Sequence, residues 1–257
     1  MPELPEVEHV VRALRRAIVG RQIVASQIKL PKLITPLKPA QFNRKIKGVR
    51  IEAINRRGKF ILIELNSDRV LAVHLRMTGK FLYLNAEDDL PKHSHAIFYL
   101  DNERRLIFRD QRQFGVMKLV ARARLAKTKG IRELSRRSLK TLLLDQTKVL
   151  GLGNIYAAEA LFRAGINPFK VGAQLSSSRV KRLHQAIREV LSDAITDSST
   201  SRINLEHPSG FSYGEAFERF WQVYEREGEP CFKCGARIRR IAHGGRSTYW
   251  CPRCQRR

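Results

Sequence analysis

The first eight residues, Met1-Pro2-Glu3-Leu4-Pro5-Glu6-Val7-Glu8, concentrate reactive groups at one end of the chain. Proline in second place is small enough for Met1 to be removed, which would leave Pro2 with a free secondary amine. An α-amino group titrates near ~8, so part of it is unprotonated and nucleophilic at neutral pH, whereas a lysine titrates near ~10.4 and needs activation. Glu3 and Glu6 lie directly behind Pro2. An amine nucleophile beside a carboxylic acid suits imine chemistry at an aldehyde-like carbon. The same residues also read as a plain helix start, with Pro5 in the first turn and Glu6 and Glu8 at the positive end of the helix dipole.

A second group of reactive residues closes the chain. Cys231-Phe-Lys-Cys234 and Cys251-Pro-Arg-Cys254 are two C-x-x-C pairs with sixteen residues between them. That is the spacing of a four-thiolate zinc site, with a knuckle at each pair and a hairpin between. Four protein ligands leave no open position, so such a Zn2+ is structural and not catalytic. The hairpin carries His243, Gly244, Gly245 and Arg246, a small tip with a cation suited to a DNA backbone. Further in, Gly151-Leu-Gly153 followed by Asn154 as N-cap would expose backbone N–H groups at a helix start, a seat for phosphate. An ordinary junction between two helices has the same look. Three other stretches are compatible with unremarkable turns and strand ends: Arg56-Arg57-Gly58-Lys59, the His74 to Met77 segment, and Gln111 to Gly115.

These groups need a scaffold, and 257 residues with 43% hydrophobic content can supply one large domain or two smaller ones. The 49 Lys and Arg outnumber 24 Asp and Glu, for a net charge of +25 and a pI near 10.7. Basic residues run along the whole length, which points to nucleic acid ahead of an anionic membrane surface or a ribosomal site. No apolar run approaches the ~20 residues of a bilayer span, and the acidic start is unlike a signal peptide. A cytosolic location is expected, where four cysteines serve as metal ligands more readily than as disulfides.

The periodicity predicts a helix over 5–19, with Val7, Val10, Val11, Leu14 and Ile18 on one face and Gly20 as its stop. Eight strand-like runs follow: Ile23–Leu30, Val49–Ile54, Phe60–Leu65, Val70–Leu75, Phe81–Leu84, Ala96–Leu100, Arg105–Phe108 and Val116–Val120. Short strands separated by turn residues predict an antiparallel sandwich or barrel. Residues 121–130 are basic and poor in large apolar side chains, and read as a linker. Helical spacing then appears over Ile131–Leu144, Asn154–Ala164, Ser177–Ile195 and Gly214–Tyr224. The polar stretch Asp197–Phe211 reads as a mobile loop.

Nearly the whole chain resembles the formamidopyrimidine-DNA glycosylases (MutM or Fpg) of the Fpg/Nei superfamily. The resemblance rests on Met1-Pro-Glu-Leu-Pro-Glu-Val-Glu8, Arg56-Arg-Gly-Lys59, His74-Leu-Arg-Met77-Thr-Gly79, Lys92-His-Ser-His95, Asp110-Gln-Arg-Gln-Phe-Gly115, Leu143-Leu-Asp-Gln146, Gly151-Leu-Gly-Asn-Ile-Tyr-Ala157 and the segment from Gly244 to Gln255. Leu4 favours this branch over the endonuclease VIII branch, which has glycine there. The resemblance implies a two-lobed α+β protein: an N-terminal antiparallel β-sandwich with an N-terminal helix, then a helix–two-turn–helix domain with a C-terminal zinc finger hairpin. The expected boundaries are 1–120 for the sandwich, 121–130 for the linker, 131–228 for the helical domain and 229–257 for the finger. Double-stranded DNA with oxidised bases or abasic sites would lie in the cleft between the lobes, bound by a monomer in a bacterial-type cytoplasm or nucleoid.

The resemblance also implies roles. Pro2 would attack C1′ of the damaged nucleotide, with Glu3 as general acid at the sugar and Lys59 assisting elimination beside a phosphate. Arg246 and Asn154 would pinch the lesion's backbone, with Arg246 aiding the second elimination. Glu6, His74, His93 and Lys140 would belong to the DNA-binding set, Lys140 near the flipped base. Met77, Arg112 and Phe114 would fill the space which that base vacates. Cys231, Cys234, Cys251 and Cys254 would bind the structural zinc. The activity implied is that of a bifunctional glycosylase and AP lyase on oxidised purines such as 8-oxoguanine and formamidopyrimidines, ending in β,δ-elimination. Preference for oxidised pyrimidines and a catalytically silent zinc-containing DNA-binding protein are the alternatives. Several positions depart from the family pattern. Ser94 replaces an Asp, Gln111 and Gln113 replace Pro and Arg, a Gly-Pro-Glu-Pro-Leu segment is absent, residues 120–139 are short, and 196–214 matches poorly.

Overall fold

The computed structural model describes residues 2–124, 138–196, 205–206 and 221–256. They form two compact units, one of residues 2–124 with Leu205 and Glu206, the other of residues 138–196 and 221–256.

The first unit opens with helix α1, Leu4–Ile18. Its stripe of Val7, Val10, Val11, Leu14 and Ile18 is buried, each at 1% exposure or less. The helix stops at Val19, which turns extended, and Gly20 follows at φ +84, a left-handed conformation that glycine adopts at little cost. Eight strands follow: β1 Ile23–Ile28, β2 Ile51–Arg57, β3 Phe60–Leu65, β4 Arg69–His74, β5 Gly79–Asn85, β6 Ser94–Leu100, β7 Arg104–Asp110 and β8 Val116–Ala121. They pair antiparallel in two four-stranded sheets, β1-β6-β7-β5 and β2-β3-β4-β8. All eight expected strands are present. One core joins the two sheets and α1, with Phe81, Phe98 and Phe108 from one sheet and Ile54, Ile63 and Val73 from the other.

Helix α2, Pro39–Ile46, was not expected from the sequence. It buries only Phe42 and Ile46, too few apolar positions to announce a helical period. Its signal is Pro39 in the first turn, and its stability comes from packing beside β1, where Ser26 Oγ donates to Asn43 Oδ1 at 2.9 Å. Of the expected loop over 197–211, only Leu205 and Glu206 lie within the described residues. Leu205 is buried in the sandwich core and its carbonyl accepts from the Tyr83 N–H at 2.8 Å, while Glu206 pairs with Arg104 at 2.7 Å.

The second unit holds α3 Leu139–Leu144, α4 Asn154–Arg163, α5 Ser177–Thr196, and the hairpin of β9 Arg239–His243 and β10 Arg246–Trp250. Leu143, Leu152, Tyr156, Leu161, Leu183 and Val190 make its main core. The expected helix over 131–144 falls outside the described residues up to 137. The expected helix over 214–224 falls outside them up to 220, and its last four residues, 221–224, are not helical. The N–H groups of Gln222, Val223 and Tyr224 instead all donate to the Glu159 carboxylate, at 2.9 to 3.0 Å.

Sandwich strands β4 and β5 belong to different sheets, as do β7 and β8. The β4–β5 and β7–β8 loops therefore cross between the sheets side by side, because β4 pairs with β8 and β5 with β7. Both crossings rest on Phe108. A Cβ on Gly79 would sit 2.4 Å from the Leu75 carbonyl oxygen and 2.8 Å from Phe108 Cζ. Gly79→Ala should accordingly destabilise the protein by about 1–3 kcal/mol through overpacking, read as a lowered unfolding midpoint in urea. An unchanged midpoint would mean that the crossing is loose.

Candidate active site and DNA interface

The N-terminal mouth of α1 is buried: Pro2 is buried, Glu3 is 4% exposed and Glu6 is 7% exposed. A buried helix start must satisfy its amide donors. Here the Glu6 carboxylate accepts the Glu3 N–H at 2.6 Å in a capping-box arrangement. Glu6 therefore faces the helix start and positions Glu3. Two arginines fix the helix along β2. Arg15 donates to the Ile54 carbonyl at 2.7 and 3.1 Å, and Arg56 donates to Glu8 at 2.8 Å. Burial acts to raise the Glu8 pKa, but Arg56 and Arg12 outweigh it and hold the carboxyl below its ordinary value. Going from Arg15 back to Glu8 follows β2 forward from Ile54 to Arg56, so the helix start points toward the turn that ends β2.

That turn is Gly58-Lys59, a two-residue connection between paired Arg57 and Phe60, with Gly58 at φ +57. Arg56 also donates to the Gly58 carbonyl at 3.1 Å, linking helix and turn. Lys59 is 6% exposed. His74, at the end of β4, stands across the ladder from Phe60, with the two rings edge to face at 4.8 Å. Burial first, then the charges of Arg76 and Lys59, push the His74 pKa down to about 4. Its Nδ1 accepts the Arg76 N–H at 3.0 Å, which leaves Nε2 as the protonated nitrogen of a neutral ring.

Beyond His74 the two crossing loops carry Met77, Arg112 and Phe114. Met77 is 40% exposed and Phe114 51% exposed, high values for apolar side chains. The Arg112 guanidinium lies 5.0 Å from the Phe114 ring centre. His93 is exposed at φ +66, and its carbonyl accepts the Asp110 N–H at 3.1 Å. Ser94 donates to the Pro91 carbonyl at 2.6 Å.

The second unit gathers Lys140, Asn154 and Arg246. Asn154 is the first residue of α4, and Gly153, not Asn154, occupies the N-cap. The Asn154 side chain reaches away from its own helix, and its Nδ2 donates to the Ser247 carbonyl at 3.1 Å. Lys140 Nζ donates to the same carbonyl at 2.8 Å and to Thr248 Oγ1 at 2.7 Å. Lys140 is only 1% exposed, and burial first, then Arg246, draws its pKa down to about 8. Arg246 is exposed and opens β10 after the Gly244-Gly245 turn, whose φ values of +59 and +72 suit a tight hairpin. Lys140, His243, Gly244 and Arg246 line a cavity of about 370 Å³. The Gly151 to Gly153 turn is braced by Gln146, which accepts the Gly151 N–H at 3.1 Å and donates to the Leu152 carbonyl at 2.7 Å.

Sequence reading assigned no role to Asp110, Gln146 or Glu159. Asp110 and Gln146 stood inside motifs, and Glu159 was a lone carboxylate among apolar residues of α4. That last feature was a usable signal, since a buried charge requires partners.

The four cysteine sulfurs lie within 4.8 Å of one another, with Cys231 and Cys254 at 3.9 Å and Cys234 and Cys251 at 3.4 Å. Four Zn–S bonds of ~2.3 Å in a tetrahedron place sulfurs ~3.8 Å apart, so the set fits a structural Zn2+. Burial pushes the Cys251 and Cys254 thiols up, and a dication is what allows all four to ionise together.

Two outcomes follow from this geometry. His74 folds with a pKa below its ordinary 6.5, so its contribution to stability is full above 6.5 and is lost as pH falls from there to about 4. The native protein should lose more stability across that window than His74→Gln, and an NMR titration should place the ring near 4. Parallel pH curves for the two proteins would refute the burial argument. For the finger, Cys251→Ser should lose the metal and most DNA affinity while the sandwich stays folded; active protein without zinc would reject the site.

Comparison with known proteins bears on both units. Family models match as the formamidopyrimidine-DNA glycosylase N-terminal domain over residues 1–117, the formamidopyrimidine-DNA glycosylase H2TH domain over 118–204, and the zinc finger found in FPG and IleRS over 228–257. A formamidopyrimidine-DNA glycosylase of Pelotomaculum thermopropionicum is 41% identical over 276 residues, covering 100% of this chain and 99% of the relative. A crystal structure of the Lactococcus lactis Fpg (MutM) with Fapy-dG-containing DNA is 34% identical, covers 99% of this chain and 100% of that one, and superposes with a TM-score of 0.84. The Lactococcus lactis protein with DNA containing an oxidised pyrimidine is likewise 34% identical, with 100% of both chains covered and a TM-score of 0.84. Matched along its length by these domains and relatives, the chain belongs to the formamidopyrimidine-DNA glycosylase family.

Proposed function

We propose that the protein is a bifunctional DNA glycosylase and AP lyase of base excision repair, acting on oxidised purines in duplex DNA through an imine on Pro2. The observation that carries this reading is the buried mouth of α1, where Pro2 and Glu3 sit together and Glu6 fixes the backbone between them. Silent DNA binding would need none of that arrangement.

After loss of Met1, the Pro2 amine attacks C1′ and the bond from C1′ to the damaged base breaks, the base leaving with its electron pair and taking a proton. Glu3 gives a proton to the sugar ring oxygen as the ring opens, and the iminium forms. Loss of a proton from C2′ then expels the 3′ phosphate, and a second elimination expels the 5′ phosphate. Water releases the sugar remnant and restores the amine. Lys59 supplies a buried cation for a phosphate beside this centre, and the neutral His74 offers its Nε2–H to the backbone. In the second unit, Asn154, Arg246 and the cavity beside Lys140 form the other phosphate grip, and Lys140 holds the hairpin at the edge of that cavity, near the flipped base. Met77, Arg112 and Phe114 fill the gap left by an extruded base, which otherwise costs a few kcal/mol of lost stacking.

The boundaries at 120, 130 and 228, a monomeric state and a cytoplasmic or nucleoid location belong to the same proposal. No described helix is long and apolar enough to cross a membrane. The Lactococcus complex with an oxidised pyrimidine favours a second reading, a lesion range that extends to pyrimidines.

Borohydride trapping on a duplex with one 8-oxoguanine tests the chemistry. The crosslink should map to Pro2 in a chain that starts there, and Glu3→Gln should lower base excision by about 10²- to 10⁴-fold while weakening binding far less. A crosslink on Lys59 with Pro2→Gly fully active would discard Pro2, and native excision by Glu3→Gln would discard the acid.

A further inference from the structure

We propose that Asp110 and Thr78 are positioning residues that latch the two crossing loops into one wedge, so that insertion by Met77 and Phe114 and reading of the opposite base by Arg112 are set together. This rests on the proposed insertion of Met77, Arg112 and Phe114 into the gap left by the extruded base, which brings Arg112 beside the base opposite.

Asp110 is 1% exposed and ends β7, and neither its burial nor its charge is explained by the imine chemistry. Its two carboxylate oxygens serve different loops. Oδ1 accepts from the Thr78 hydroxyl, on the β4–β5 crossing beside Met77. Oδ2 accepts the Gly115 N–H at 2.7 Å, on the β7–β8 crossing beside Phe114. An ionised carboxylate can only accept, so the Thr78 hydroxyl must donate to it, and that leaves the Thr78 oxygen free to accept. It accepts the Arg112 N–H at 3.1 Å. The chain Asp110–Thr78–Arg112 thus crosses from one loop to the other and back.

The backbone of Asp110 is held equally well. Its carbonyl meets His95 Nε2 at 2.9 Å and the Gln113 N–H at 3.2 Å, and its N–H donates to His93. Gln113 at φ +56 sits between Arg112 and Phe114, and Arg76 at φ +57 precedes Met77, so both exposed tips depend on left-handed non-glycine residues. Such conformations cost free energy and persist where surrounding bonds over-determine them. Below the latch, a Cβ on Gly115 would meet Phe108 Cζ at 2.6 Å, so the loop lies directly on that ring.

A guanidinium carries donors only. Cytosine's pairing edge presents O2 and N3 as acceptors, whereas adenine presents one ring acceptor beside an N6 donor. Arg112 distinguishes them only while its backbone stays in place. Loosening the latch should therefore act on the ratio of excision opposite C to excision opposite A, a quantity that general destabilisation does not move.

The test is single-turnover excision of 8-oxoguanine opposite C and opposite A by full-length native protein, Thr78→Val, Thr78→Ser, Asp110→Asn, Arg112→Ala and Arg112→Ala/Thr78→Val. Imine trapping on a single-stranded abasic oligonucleotide, which offers no opposite base, accompanies it. Thr78→Val and Asp110→Asn should each narrow the C:A ratio by about 10-fold or more, the scale of a small misplacement of a contact group. Thr78→Ser should restore the native ratio, and trapping should change much less than the ratio. Thr78→Val should narrow nothing further in the Arg112→Ala background, because it acts through Arg112. If Arg112→Ala narrows the ratio while Thr78→Val leaves it native, the latch is wrong and the reading of Arg112 stands. If Arg112→Ala leaves the ratio native, that reading fails first and the latch falls with it. Equal loss of trapping and of excision opposite both bases, with the ratio kept, also overturns the latch. Should Asp110→Asn not fold, the Thr78 pair decides.

Discussion

A helix that begins inside a protein must find acceptors for amide groups that have none within the helix. That constraint governs the N-terminal unit. The Glu6 carboxylate meets it by taking the Glu3 N–H. The helix is then locked along β2 by Arg15 on the Ile54 carbonyl and by Arg56 on Glu8. Because Arg56 also holds the Gly58 carbonyl, one guanidinium ties the helix bearing Pro2 to the turn bearing Lys59. The helix start that carries Pro2 and Glu3 and the turn that carries Lys59 are thereby held to the same strand.

The second unit solves a different problem. A hairpin of two five-residue strands is too small to bury a core of its own. Zinc supplies folding energy at one end. At the other, the Ser247 carbonyl accepts from both Lys140 and Asn154, and Thr248 is wholly buried. Glu159 fastens the chain that leads into the finger through three N–H donors. Lys140 is costly to bury, and the two acceptors on β10 offset that cost. Arg246 is left exposed beside this anchored segment, a cation on a fixed base.

The sandwich topology explains why exposed apolar tips occur where they do. Two loops that cross between sheets run together only because the strands at their ends are paired, β4 with β8 and β5 with β7. Phe108 underlies both, and the glycines at positions 79 and 115 admit the close approach. The exposed Met77 and Phe114 side chains therefore stand on closely packed backbone.

Helix α1, the eight sandwich strands and the four-cysteine cluster were legible in the sequence, because each is written in local spacing: a 3.6-residue stripe, short runs between turns, and paired C-x-x-C. It also carried the terminal Pro2-Glu3 pair and the motifs that signal the family. It left out α2, whose two buried residues are too sparse to show a period. It extended a helix through residues 221–224, where three amides had a carboxylate from 63 to 65 positions away as a better partner than their own chain. The hold of the Lys140 ammonium on a strand 107 positions on was not visible in it. The partnership of Asp110 with Thr78, 32 positions apart, was equally hidden. Local spacing fixes which face of an element is apolar, but the partner of a buried polar group is chosen by whichever distant donor or acceptor the fold brings within reach, and only the tertiary structure decides that.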